Sequence, residues 1–477
     1  MNVLFAASEG YPFIKTGGLG DVIGALPQAL QKQGANVSVI LPKYEDMNES
    51  FKNQLELKET ITVSVGWRHK YCGIEMMKYN GITYYFIDNE YYFKRSGSYG
   101  YFDDGERFSF FCKAVLEAIP YLEEQPDILH CHDWQTGMIP VLKKAHYRNH
   151  PSYQSIKVVY TIHNLRYQGV FPKSILHDLL DLSELHFNNE GVEFHGNVSF
   201  MKGGLVYSDY ITTVSPTYAD EIKQPYFGEY LDGVMRKREA DFVGIVNGID
   251  TKIYDPAGDK ALPYTFHASH PLKEKNKTDL QKQLGLQVGE GIPVLAMITR
   301  LVEQKGIDLF FRVLPQMMEE ENVQIVVLGT GDQHYEHMLR EAEARYPGRF
   351  SANIYFDDSF ARKLYAASDL FLMPSQFEPC GLSQLIALRY GSLPIVRETG
   401  GLKDTVKPYN KFTGEGHGFS FANYNAHEML GAIKLALDLY HHDDITWRKL
   451  VTRAMRLDYS WEASSAKYMK LYLNLLK

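Results

Sequence analysis

The chain has 477 residues, 45% of them apolar and 23% charged, with a formal net charge of −8. That length exceeds what a single hydrophobic core usually holds, so two or more domains are expected. The acidic balance argues against nucleic acid or an anionic membrane surface as the main partner, and no apolar run approaches the roughly 20 residues of a membrane span.

The first residues read directly into a core strand with no leader pattern, and Cys72, Cys112, Cys131 and Cys380 show neither metal-ligand spacing nor a disulfide framework. A cytoplasmic enzyme is the expectation.

In chain order, Asn2 to Ala7 is an apolar run of strand length, and Val22, Ile23, Leu26, Ala29 and Leu30 recur at helical spacing. Between them lies Lys15-Thr16-Gly17-Gly18-Leu19-Gly20-Asp21. A strand, a glycine turn and a helix start can hold an anion on backbone N–H groups, and glycine lets a ligand approach closely. The pattern recurs as Thr399-Gly400-Gly401-Leu402-Lys403-Asp404, which predicts two half-sites closing on one anionic ligand. Further strands are predicted over residues 36–41, 60–65 and 82–87. The last runs into a loop carrying Tyr91, Tyr92, Phe93, Tyr99, Tyr101 and Phe102, whose rings either fill a core or stack on sugars.

Apolar runs at 127–132, 156–162, 210–214 and 242–246 each stop in Asp, His, Ser or Asn. That is the mark of a parallel α/β sheet whose ligands bind beyond the carboxyl ends of its strands. Residues 251–292 are polar and rich in proline and glycine, and read as a domain junction with short helices. A second sheet follows at 293–299, 323–329, 353–356, 369–373 and 393–396, and the chain reads as helical throughout from about Glu428. The architecture is two Rossmann-like, doubly wound parallel-sheet domains facing across a deep cleft. Residues 1–245 form the first domain and 246–455 the second, with 456–477 a terminal helix returning to the first domain.

Arg300 and Lys305 sit where a strand end meets a helix start, so two cations and a helix dipole can converge on a diphosphate. Glu378, in Glu378-Pro379-Cys380-Gly381-Leu382, lies beyond another strand end and before a helix. His163 is a general base, a hydrogen-bond donor to a sugar, or a buried structural imidazole, and Asp133 and Asp21 leave the same three readings open.

Taken together, Lys15-Thr16-Gly17-Gly18-Leu19, His132-Asp133-Trp134, Thr161-Ile162-His163-Asn164, Val246-Asn247-Gly248-Ile249-Asp250, Arg300 with Lys305-Gly306, Glu378 to Leu382 and Thr399-Gly400-Gly401-Leu402 follow the order found in bacterial glycogen synthases and plant starch synthases. The chain resembles that family over nearly its whole length. The resemblance implies a GT-B fold and transfer of glucose from ADP-glucose to the non-reducing end of an α-1,4-glucan, with retention at the anomeric carbon. It gives catalytic roles to Glu378, His163, Arg300 and Lys305. The donor would be held by Lys15, Gly17, Gly18, Asp21, Asp133, Asn247, Cys380, Gly381, Leu382, Thr399, Gly400 and Gly401, with Phe356 under the adenine. Tyr99, Tyr101 and Trp134 would face the acceptor. Many retaining GT-B enzymes carry a second glutamate eight positions after the first; here that position is Ile386, as the bacterial synthase pattern allows. No Asp-x-Asp triplet occurs, so neither metal nor cofactor is expected. The rival readings are a transferase acting on a small acceptor, a glucan phosphorylase and a non-catalytic glucan-binding protein.

Overall fold

The computed structural model describes residues 1–268, 270–289 and 291–477. The chain forms two compact units, Met1–Asn247 with Trp461–Lys477, and Gly248–Ser460. The crossings thus fall after Asn247 and after Ser460, a few residues beyond the sequence boundaries.

The first unit is built on β1 (Asn2–Ala6), β2 (Asn36–Pro42), β3 (Glu56–Val65), β4 (Arg68–Tyr79), β5 (Ile82–Asp88), β6 (Ile128–His132) and β7 (Lys157–Ile162). A small antiparallel sheet holds β8 (Val170–Pro172), β9 (Glu193–Phe194) and β10 (Asn197–Ser199), and β11 (Tyr210–Thr213) and β12 (Phe242–Gly244) return to the main sheet. Its order is β12-β11-β7-β6-β1-β2-β5-β4-β3, parallel except that β4 runs against both neighbours. Strand periodicity sends Val3 and Phe5 into one core and Leu4 and Ala6 into the other, which is why β1 reads as an unbroken apolar run. The helix Gly18–Lys32 buries Val22, Ile23, Leu26 and Leu30 against this sheet. The terminal helix Trp461–Leu475 lies beside it and adds Trp461, Tyr468 and Tyr472 to the same core.

The second unit carries β13 (Val294–Ile298), β14 (Gln324–Leu328), β15 (Phe350–Asn353), β16 (Leu370–Met373), β17 (Leu393–Arg397) and β18 (Phe419–Phe421), parallel in the order β15-β14-β13-β16-β17-β18. This is the strand order of a dinucleotide-binding sheet. Helices cover both faces, and the helix His270–Gln283 is pinned by buried charge. Lys277 pairs with Asp369 at 3.1 Å and donates to the Tyr440 hydroxyl at 2.8 Å. Lys273 donates to the carbonyls of Ala366 and Tyr390 at 2.9 and 3.0 Å.

Several sequence expectations need correction. Strand β4 was not expected, because Arg68, Lys70, Glu75 and Lys78 interrupt its apolar residues; it forms between β3 and β5, with Glu75 meeting Lys43 at 2.8 Å and Arg68 meeting Asp178 at 3.0 Å. Among its described residues the junction holds one 14-residue helix rather than short ones. β15 ends at Asn353, three residues before the strand that was predicted to reach Phe356. The tail is not helical throughout: helices Ala426–His442 and Asp444–Met455 stop before a break, and the chain restarts at Trp461.

Candidate active site

In a doubly wound sheet, ligands bind where neighbouring strands send their connections in opposite directions. In the second unit that point lies between β13 and β16. The segment after β13 carries Arg300 and Lys305, and the segment after β16 carries Ser375 and Glu378; together they line a cavity of about 170 Å³. Lys305 Nζ donates to Glu378 Oε2 at 2.6 Å, and Ser375 Oγ donates to the same oxygen at 3.0 Å. Glu378 is buried, yet its Oε1 accepts no hydrogen bond among the described residues. Arg300 is exposed, and its guanidinium has no hydrogen-bond or ion-pair partner among the described residues.

Two loops hold this pair. Gln304 Nε2 donates to the Phe377 carbonyl at 3.1 Å, and the Gln376 amide donates back to the Gln304 carbonyl at 2.8 Å. Gly306 has φ 73°, and a Cβ there would stand 2.1 Å from the Pro374 carbonyl oxygen, so the lysine loop can lie on the glutamate loop only with glycine at this position.

The second glycine turn does something the sequence did not show. Gly400, at φ 45°, would put a Cβ 1.9 Å from the Glu378 carbonyl oxygen. The Gly401 amide donates to the carbonyls of Glu378 and Pro379, both at 3.1 Å. That amide therefore clamps the glutamate loop, so of the backbone groups expected to meet a diphosphate at this turn the Gly401 N–H is already engaged. Thr399 and Cys380 are buried beside it, while Gly381 and Leu382 line the cavity. Phe356, 75% exposed, lies past the end of β15 and away from this cavity lining.

The first unit has its own switch point, between β1 and β6. Glu9, just past β1, is 2% exposed and accepts hydrogen bonds from the Thr16 amide at 2.6 Å, the Gly20 amide at 3.1 Å and the Thr16 hydroxyl. The protein's own carboxylate thus engages the amides that flank Gly17 and Gly18 at this turn, while among the described residues the amides of Gly17 and Gly18 themselves take no part in that network. Glu9 was missed, although an acid directly after a buried strand and before a glycine turn is a readable signal. Lys15 pairs with Asp21 at 2.7 Å on the rim.

Beyond β6, Asp133 stands at φ 57°, unusual for a residue other than glycine and a conformation that clusters at functional sites. Its Oδ1 accepts from the His163 amide at 2.7 Å, and burial pushes its carboxyl up to about 7. His163 Nε2 lies 3.0 Å from His132 Nδ1, and loss of solvent pushes its imidazole down to about 3. A ring that weakly basic is a poor proton acceptor at neutral pH, so of the three readings the neutral hydrogen-bonding one fits. Asn247 is buried with its Oδ1 unpartnered.

A second cavity in this unit, about 550 Å³, is lined by Tyr101, Trp134, Arg166, Tyr167, Phe171 and Tyr230. Gly169 lies directly on the Trp134 indole, where a Cβ would approach within 2.2 Å. Tyr101 and Trp134 were expected to face an acceptor; Arg166, Tyr167 and Tyr230, from loops, and Phe171, from the three-residue strand β8, lie in segments too short for a periodic pattern and were not. Tyr99 does not line this cavity: its hydroxyl is 2.8 Å from Ser8 Oγ. Among the described residues no cluster of three or more His, Cys, Asp or Glu could hold a metal ion, and no helix is long and apolar enough to cross a membrane.

Comparison with known proteins agrees with this geometry. Residues 2–237 match the family described as starch synthase catalytic domain, and residues 278–448 match glycosyl transferases group 1. The chain is 55% identical to a glycogen synthase of Clostridium acetobutylicum, with both chains covered in full. It is 52% identical to one of Geobacillus stearothermophilus, covering all of this chain and 98% of that one. The catalytic domain of starch synthase IV from Arabidopsis thaliana, solved bound to ADP and acarbose, superposes with a TM-score of 0.92 at 35% identity, over 100% of this chain and 99% of that one. A sucrose-phosphate synthase of Thermosynechococcus elongatus, at TM-score 0.61 and 16% identity over 99% of this chain and 98% of that one, shares the fold alone. With two Rossmann-like units of the GT-B type and relatives this similar over their whole length, the chain belongs to the glycogen synthase and starch synthase family of glycosyltransferases.

Proposed function

We propose that the chain transfers glucose from ADP-glucose to the non-reducing 4-hydroxyl of an α-1,4-glucan with retention of configuration, and so elongates glycogen. The observation that carries this reading is the Lys305–Glu378 pair beside an unpartnered Arg300 at the switch point of the second sheet. The ADP bound to the similar starch synthase is the leaving group the reaction would release.

As the bond from the anomeric carbon to the phosphate oxygen breaks, negative charge grows on the diphosphate and positive charge on the sugar. Arg300 and Lys305 meet the first, and one such oxyanion-stabilising donor is typically worth roughly 3–4 kcal/mol. With the Gly401 amide already committed, these two cations carry more of that load than the turn does. Glu378, through its open Oε1, orients glucose hydroxyls and offsets the oxocarbenium charge. The acceptor oxygen attacks the face that the diphosphate leaves, and the departing phosphate takes the acceptor's proton. Tyr101, Trp134 and their aromatic neighbours offer stacking faces to the glucan. The reaction needs no cofactor and no metal ion on this reading, so chelator leaves the rate unchanged. Four free thiols suit a reducing, cytoplasmic compartment.

The test is purified protein with radiolabelled ADP-glucose or UDP-glucose plus glycogen, counting label in precipitated polymer. Label from ADP-glucose is expected; none from either donor, or loss of activity with chelator, overturns the proposal.

A further inference from the structure

Beneath His163 lies a second imidazole with no assigned task. His132 is fully buried at the end of β6, stacked on Phe5 at 5.2 Å and on His130 at 4.2 Å. His130 has both ring nitrogens engaged, Nδ1 with the Tyr472 hydroxyl and Nε2 with the Thr161 hydroxyl, each at 2.6 Å. His132 has one nitrogen engaged: Nδ1 faces His163 Nε2 at 3.0 Å, while Nε2 is enclosed with no hydrogen-bond partner among the described residues.

Two neutral imidazoles share that contact, so only one of the facing nitrogens carries hydrogen. If His132 held its proton on Nε2, a buried N–H would be left without an acceptor. If it holds the proton on Nδ1, only a lone pair is left unpaired. Orphaned buried N–H groups are the rarer and costlier case. His163 must then accept on Nε2 and carry its own hydrogen on Nδ1, the nitrogen with no protein partner among the described residues.

We propose that His132 is a positioning residue: its Nδ1–H donates to His163 Nε2 and fixes His163 as the Nδ1–H tautomer, a donor held ready for a substrate hydroxyl oxygen. This rests on the reading of His163 as a sugar-contacting residue. Phe5 and His130 hold the His132 ring by its faces, and the His130 contacts to Thr161 and Tyr472 keep that neighbour from competing for the Nδ1 hydrogen.

The experiment combines ¹⁵N-histidine NMR with steady-state kinetics on native protein, H132F and H132N. Phenylalanine keeps a stacked ring but no donor, whereas the asparagine amide can place an N–H near the position of Nδ1. The native spectrum should show His163 protonated on Nδ1. In H132F that assignment should change, with kcat down about tenfold to a hundredfold and KM for ADP-glucose changed less; H132N should recover much of the loss. Native His163 protonated on Nε2, or H132F with an unchanged tautomer, overturns the proposal. A changed tautomer with unchanged kcat overturns the positioning role. The underlying reading fails separately, if His163→Ala turns over at the native rate.

Discussion

Lys305 Nζ and Glu378 Oε2 stand 2.6 Å apart, with Ser375 on the same carboxylate oxygen. The pair keeps a cation where a diphosphate would leave and turns Oε1 toward open space. Lys305→Ala and Glu378→Ala should each lower kcat by about 100-fold or more. Because each residue holds the other, the double variant should lose far less than the product of the two effects. Multiplicative losses in glucan-elongation assays would show that the two act independently.

Glu9 gathers three donors from the first glycine turn. Glu9→Ala removes the acceptor of the Thr16 amide and hydroxyl and leaves the buried Gly20 amide only its 3.2 Å bond to the Gly17 carbonyl. A cost of about 2–4 kcal/mol is expected, read as a lower urea midpoint, with Glu9→Gln costing less because its amide oxygen still accepts. Equal midpoints for the three proteins would remove Glu9 from this role.

Gly400→Ala should act on Glu378 through its backbone. The added Cβ falls 1.9 Å from the Glu378 carbonyl oxygen, so the loop must move, and kcat should drop more than about tenfold while far-UV circular dichroism stays native. Gly431 is the control: it lies in the helix Ala426–His442 with nothing within 4 Å of its would-be Cβ. Gly431→Ala should leave kcat unchanged and stabilise by up to about 1 kcal/mol.

Asp133 ties stability to pH. Its carboxyl titrates near 7 when folded against 3.8 ordinarily. Between those values the folded state holds a proton the unfolded state has lost, so stability falls as pH rises and the cost is fully present above about pH 7. Asp133→Asn keeps an oxygen for the His163 amide and removes the buried charge. Its gain in unfolding free energy should be a few kcal/mol near pH 8 and vanish near pH 4. A gain independent of pH would show that the charge is not the cause.

Much of this was legible in the sequence because parallel strands buried on both faces leave long apolar runs, and because their polar endings fall at the carboxyl edge. Arg300, Lys305 and Glu378 could be found that way, and the structure brings them into one cavity. What stayed hidden depends on contacts between distant segments. Which amides of a glycine turn are already engaged is set by Glu9 in one case, for Thr16 and Gly20, and by the carbonyls of Glu378 and Pro379 in the other, for Gly401. β4 escaped because Arg68, Lys70, Glu75 and Lys78 break up its apolar alternation, and Phe356 was taken into a strand because nothing in its short run shows that the strand stops at Asn353.

The helix Trp461–Leu475 belongs to the first unit although the whole second unit precedes it in the chain. Tyr472, which meets His130 within the first sheet, is therefore synthesised only after the whole second unit. During synthesis the first unit therefore stays unfinished until this 15-residue helix has been made, and the whole second unit is built while the sheet of the first still lacks the piece that covers it.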